Sequence, residues 1–177
     1  MRLPVRLAGP VTGNVLIRRP VHDVYGFYRN FANLPRFLGD VVAVAQLADN
    51  TYRWIVVGPL GTRVPLTVTI TAQRVNRLIR YQTCGPAPLR GRWELTFTVD
   101  AETGGTRVRE QLVVPLGPIG RAVLAMIGKF PDREVAANLT RLKQLLETGH
   151  RRDTPSVAAP TVSDRPGAPS DDERVTR

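Results

Sequence analysis

The chain is poor in the side chains that most enzymes use for covalent or metal chemistry. It has one cysteine, Cys84, two histidines, His22 and His150, and no serine before Ser156. A single thiol excludes an internal disulfide framework and suits a reducing compartment, and Cys84 itself reads as a small buried hydrophobe. Two histidines and one cysteine so widely spaced give a zinc ion almost no ligands to draw on, and neither a metal nor a cofactor is expected. All three serines, Ser156, Ser163 and Ser170, fall in a stretch with almost no large apolar side chain, which argues against a serine nucleophile held in a packed site. Neither G-x-G-x-x-G nor a Walker sequence occurs; Gly58-Pro-Leu-Gly61 and Gly117-Pro-Ile-Gly120 read as turn and helix-start devices. No uncharged run is long enough to cross a bilayer as a helix. The basic, proline-interrupted start from Met1 to Gly9 makes a poor signal peptide, so the expected location is cytoplasmic.

What the chain does have is enough apolar material for one core: 177 residues, 42% hydrophobic and 23% charged. Its net charge is +10. Residues 151–177 hold five arginines and five acidic groups, so the whole excess belongs to residues 1–150. Such a surface favours anionic partners. The arginines are scattered at alternating strand positions, without the basic runs or recognition-helix pattern of a DNA binder, so a nucleic-acid-interacting module is the least favoured reading.

Hydrophobic periodicity divides the chain. Val11 to Arg18 reads as a strand, and Pro20 then presets a helical start, with Val21, Val24, Tyr25 and Tyr28 on one face. A second short helix is expected from about Asn33 to Phe37. Six more strands follow at Val41 to Leu47, Tyr52 to Val57, Arg63 to Gln73, Leu78 to Thr83, Arg92 to Val99 and Thr106 to Val114. Turn formers separate them: Asp49-Asn50, Gly58 to Gly61, Asn76, Gly85-Pro86 and Gly104-Gly105. A final helical region runs from about Pro118 to Thr148, with one apolar stripe at Ile119, Val123, Met126, Ile127 and Phe130 and another at Val135, Leu139, Leu142 and Leu146. Gly128 and Pro131 should kink or break it. The fold class is therefore α+β: a curved antiparallel sheet of about seven strands, two short helices after the first strand, and a long C-terminal helix covering the apolar face. Residues 1–10 read as an extension, 11–149 as the domain, and the Pro/Ser/Asp/Arg-rich 150–177 as a disordered tail.

The segments Ile17-Arg-Arg-Pro-Val-His-Asp-Val-Tyr-Gly-Phe-Tyr-Arg-Asn-Phe-Ala-Asn-Leu-Pro-Arg-Phe-Leu38, Trp54-Ile-Val-Val-Gly-Pro-Leu-Gly61 and Leu142-Lys-Gln-Leu-Leu-Glu-Thr-Gly149 carry a family resemblance. The chain resembles the polyketide cyclase/dehydrase-like branch of the START-related SRPBCC superfamily, which includes coenzyme Q-binding proteins and plant pollen-allergen-like binders. That resemblance, over about residues 11–149, implies a helix-grip fold with an internal cavity. It implies binding or transport of a small hydrophobic or amphipathic ligand such as a lipid, quinone or polyketide-like molecule. The alternative it implies is a metal-free cyclase or dehydratase using the same cavity. The sequence departs from the pattern after the Gly58 to Gly61 turn, where Pro65 and Leu66 stand in place of an acidic and an aromatic residue.

Strand parity selects the side chains that would face such a cavity. Glu110 is in phase with Val108, Leu112 and Val114, an apolar set on which a carboxylate must be paired, protonated or functional. It is the one catalytic candidate, with a plain salt bridge as the alternative. Trp54 aligns with Val56, and Trp93 with Leu95, Phe97 and Val99; both suit either core packing or an aromatic cavity wall. Tyr25, Tyr28 and Tyr81 either offer hydroxyls for a carbonyl-bearing ligand or serve as ordinary amphipathic packing residues, and Val123, Met126, Ile127 and Phe130 would complete the lining from the helix. The segment Gly117 to Pro131 is expected to gate the cavity and to make peripheral membrane contact, or else to fill the core or a dimer contact.

Overall fold

The computed structural model describes residues 10–85, 90–113 and 131–149. Seven strands form one antiparallel sheet: β1 (Val11–Ile17), β2 (Val41–Ala48), β3 (Thr51–Val57), β4 (Arg63–Arg74), β5 (Leu78–Cys84), β6 (Gly91–Val99) and β7 (Thr106–Val113). The spatial order is β1-β7-β6-β5-β4-β3-β2, so the first two strands in sequence lie on opposite edges. Helix α1 (Val21–Arg29) and a 3-10 segment (Phe31–Arg36) make that crossing. The later strands follow one another as a meander, and breaks within the described residues carry a residue suited to a tight reversal. Asn50 and Asn76 take left-handed φ values of 58°, and Gly104 takes 66°. Bulges in β2, after Val41 and after Gln46, and in β4, after Ile70, bend the sheet.

The expected strands therefore match those observed to within about two residues, whereas the second short helix differs in kind. It starts at Phe31 and is a 3-10 helix containing Pro35. Proline removes a backbone donor, and the Asn30 side chain accepts from Ala32 N (3.2 Å) to hold the entry turn. Cys84 also departs from expectation: it is exposed. The alternation of β5 turns Tyr81 and Thr83 inward and so turns Cys84 out.

One face of the sheet is apolar and buried. It presents Tyr52, Trp54 and Val56 from β3, Leu66, Val68 and Ile70 from β4, and Ile79 and Tyr81 from β5, continued by Leu95, Phe97, Val108 and Leu112. Helix α1 buries Val24, Tyr25 and Tyr28 against it. The C-terminal helix α2 (Pro131–Gly149) begins with proline, whose missing N–H is no loss at a helix start. Its stripe Val135, Leu139 and Leu142 is buried, with Leu146 partly so. The segment 114–130, which includes Val123, Met126, Ile127 and Phe130 and the expected gate, lies outside the described residues, as does the tail from 150. Among the described residues no helix is long and apolar enough to cross a membrane.

Helix α2 sits close on β1 because Gly13 lets it. A Cβ on Gly13 would fall 2.5 Å from Val135 Cγ1 and 2.8 Å from Leu139 Cδ1. Polar ties fix both ends of the contact. Lys143 Nζ donates to Leu16 O (2.6 Å) and to Glu147 (2.7 Å), and Glu147 accepts from Arg18 N (2.8 Å). Toward the other end, Arg141 Nε donates to Phe37 O (2.7 Å) and Asn138 accepts from Gly39 N (3.2 Å). Gly13→Leu should accordingly cost about 1–3 kcal/mol by overpacking. The outward-facing Asn14→Leu should cost less than about 0.5 kcal/mol. Equilibrium urea unfolding of the two variants checks the difference, and equal stabilities would show that α2 is not seated on Gly13.

Candidate ligand cavity

The apolar face of the sheet is wider than one helix covers. A cavity of about 110 Å³ remains between α2 and strands β3 to β7, closed at one side by the loop before β2. Hydrophobic walls come from Leu38, Val41, Val56, Leu66, Leu112 and Val135. Trp54, Tyr81 and Trp93 add an aromatic wall. Tyr81 and Trp93 stand opposite each other on β5 and β6, and their rings stack with centroids 5.3 Å apart and planes within 6°. Trp54 approaches Tyr81 from β3 at 5.6 Å. Gly91 makes this stack possible, since a Cβ there would lie 2.7 Å from the Trp93 ring.

The polar groups of the cavity are few. Glu110 is 2% exposed and lies opposite Leu95 on β6 and Gly13 on β1. Burial without a hydrogen bond or ion pair to any described side chain pushes its carboxyl up to about 8, so at neutral pH it holds its proton. The Tyr28 and Tyr81 hydroxyls approach each other at 3.4 Å in the core. Burial raises the pKa of both well above the usual phenol value. The nearby Glu110 carboxyl raises both further. The indole Nε1–H of Trp54 is buried with no hydrogen-bond partner. Asp40, Thr83, Glu134 and Asn138 complete the lining.

Of the residues expected from the sequence, Trp54, Tyr81, Trp93 and Glu110 come together in this cavity. Tyr25 does not line it; its ring packs edge-on against Phe97 at 5.4 Å. Thr83, Asp40, Glu134 and Asn138 were not among the expected site residues. Thr83 shares the strand phase of Tyr81, and Asn138 shares the helix face of Val135 and Leu142, so both had a periodic signal. Asp40 lies in a loop and has none.

A carboxyl whose folded pKa stands above its ordinary value of 4.5 favours the fold most at low pH. That contribution is complete below about pH 4.5 and is lost as pH rises through about 8, above which it no longer changes. Across that window the wild type should lose about tenfold in its folding constant per pH unit relative to Glu110→Gln, which cannot ionise. Urea unfolding of both proteins at several pH values measures this, and parallel stability profiles would contradict a buried, protonated Glu110.

Comparison with known proteins now places this geometry. Residues 9–147 match the family model described as polyketide cyclase / dehydrase and lipid transport. No protein among those with curated descriptions matches the chain. Among solved structures, the DR_A0006 protein of Deinococcus radiodurans is similar at 25% identity and a TM-score of 0.62, covering 79% of this chain and 98% of its own. The TTHA0849 protein of Thermus thermophilus is similar at 21% identity and a TM-score of 0.63, with the same coverage of 79% and 98%. DynU16, a protein of the dynemicin biosynthetic locus, has the same fold at 17% identity and a TM-score of 0.56, covering 80% of this chain and 48% of its own. With its helix-grip architecture and a family match over most of its length, the chain belongs to the polyketide cyclase/dehydrase and lipid transport family.

Proposed function

We propose that the domain binds and carries a small apolar or amphipathic molecule in the cavity beneath α2. The observation that supports this reading is a partly open space walled by aliphatic and aromatic side chains in an otherwise closely packed core. Ligand pockets are largely apolar with a few placed polar groups, and this one has that make-up. Its volume of about 110 Å³ is of the order of an engineered apolar cavity of about 150 Å³ that takes up benzene, so a single ring fits without rearrangement.

One observation favours catalysis as a second reading. A protonated carboxyl with a pKa of about 8, set in an apolar cavity near Tyr81, has the properties of a general acid or base at neutral pH. In a cyclase or dehydratase Glu110 would hand its proton to a departing hydroxyl or take one from carbon, while the aromatic wall held the substrate folded. Carriage requires only the cavity and its cover, whereas catalysis also requires turnover that Glu110→Gln abolishes.

Two measurements on the full chain test the carrier reading. Native mass spectrometry with organic extraction should find an apolar molecule copurified with the protein. An uncharged naphthalene-based fluorophore should bind with an affinity that changes less than about twofold between low and physiological salt, because burial of apolar surface is not screened. Absence of probe binding, or binding that falls steeply with salt, would place the working surface among the exposed arginines instead.

A further inference from the structure

The cavity's polar groups have a sign that runs against the rest of the molecule. The chain carries a net charge of +10, yet the described lining includes Asp40, Glu110 and Glu134 and no lysine, arginine or histidine. No cation is described there to neutralise a carboxylate or a phosphate. Two of the lining groups are donors in search of an acceptor. The Trp54 Nε1–H is shut away from solvent without a partner, a state that costs free energy until something accepts from it. The Glu110 carboxyl, also without a described partner, presents an O–H as long as it keeps its proton.

Resting on the carrier reading above, we propose that the cavity selects an uncharged ring compound bearing an acceptor oxygen, such as an aryl ketone, and rejects aromatic carboxylates. The ring lies against the aromatic wall, and Trp54 Nε1–H and the Glu110 carboxylic acid supply the donors for the oxygen. The proposal makes Trp54 and Glu110 specificity-determining rather than merely space-filling. An anion would instead lose its hydration in a site of low polarity whose described lining holds no lysine, arginine or histidine.

The test uses three probes of nearly one shape: acetophenone, its alkene analogue α-methylstyrene, and benzoate. Because a ketone is better hydrated than an alkene, the informative quantity is how their affinity ratio changes on mutation, which cancels the hydration of the free probes. Trp54→Phe and Glu110→Met each remove a donor while keeping an apolar side chain of similar bulk. Each should reduce the ketone-to-alkene affinity ratio by roughly tenfold, the scale of one buried hydrogen bond. In wild-type protein, acetophenone but not α-methylstyrene should shift the Trp54 indole N–H resonance downfield, with Trp93→Phe used to assign the two indole signals. This reading does not depend on the stability of the variants at position 54 or 110. Benzoate should bind at least about tenfold more weakly than acetophenone. An unchanged ratio in both variants with an unmoved indole resonance, or benzoate binding as tightly as the ketone, would overturn the selectivity while leaving the cavity as a binding site. Failure of all three probes to bind would overturn the carrier reading and the selectivity together.

Discussion

The seating of α2 on β1 is the contact from which the rest of the structure follows. Gly13 removes the one side chain that would hold the helix off the strand, and Val135 and Leu139 drop into the gap. Lys143 and Glu147 then lock the helix to the backbone of Leu16 and Arg18, while Arg141 and Asn138 tie it to the backbone at Phe37 and Gly39. A helix seated on β1 at one edge stands off the middle strands, with a space between its residues Val135 and Asn138 and those strands. The uncovered area there becomes a cavity because α1 and the 3-10 segment, which must cross from β1 to β2, cover part of the same face and do not fill it. Hydrophobic burial drives the helix onto the sheet, and the geometry of two edges joined by a short crossover decides where the space is left.

The same geometry separates charge. Alternation along the strands sends Arg53, Arg80, Arg92, Arg107 and Arg109 outward and brings Trp54, Tyr81, Trp93 and Glu110 inward. Some outward arginines are paired, Arg80 with Glu94 and Arg107 with Asp100, both at exposed sites where such pairs add little stability. Glu110 is the exception on the inner face. It is kept at a cost to folding that grows with pH, and a buried group kept at such a cost is a candidate for work in the cavity.

Much of this was legible because strands and helices have fixed periods. The phase of Glu110 with Val108 and Leu112 placed its carboxyl inside, and the stripe Val135, Leu139, Leu142 identified the face of α2 that packs. The asparagines and glycines of the turns marked the strand limits for a local reason, their tolerance of left-handed φ. Long-range facts left no comparable trace. The Gly13 approach depends on a helix more than a hundred residues away, and in sequence Gly13 is only a glycine in a strand. Tyr25 shares its apolar face with Tyr28, but that both rings meet the core beside Phe97 rather than the cavity depends on how α1 is rotated on the sheet. The 3-10 form of residues 31–36 follows from Pro35, and Cys84 from a parity that Tyr81 already announced. The unpartnered Trp54 donor is a property of its surroundings in space, and no pattern of neighbours along the chain encodes it.

The central claim is that the space beneath α2 is an apolar binding site. A crystal of the full chain soaked with bromobenzene tests it most directly, since bromine reports its own position by anomalous scattering. A strong bromine peak is expected among Trp54, Leu66, Tyr81 and Val135, with the ring against the aromatic wall. A cavity filled by the protein's own side chains, with bromine found only at the outer surface, would contradict it.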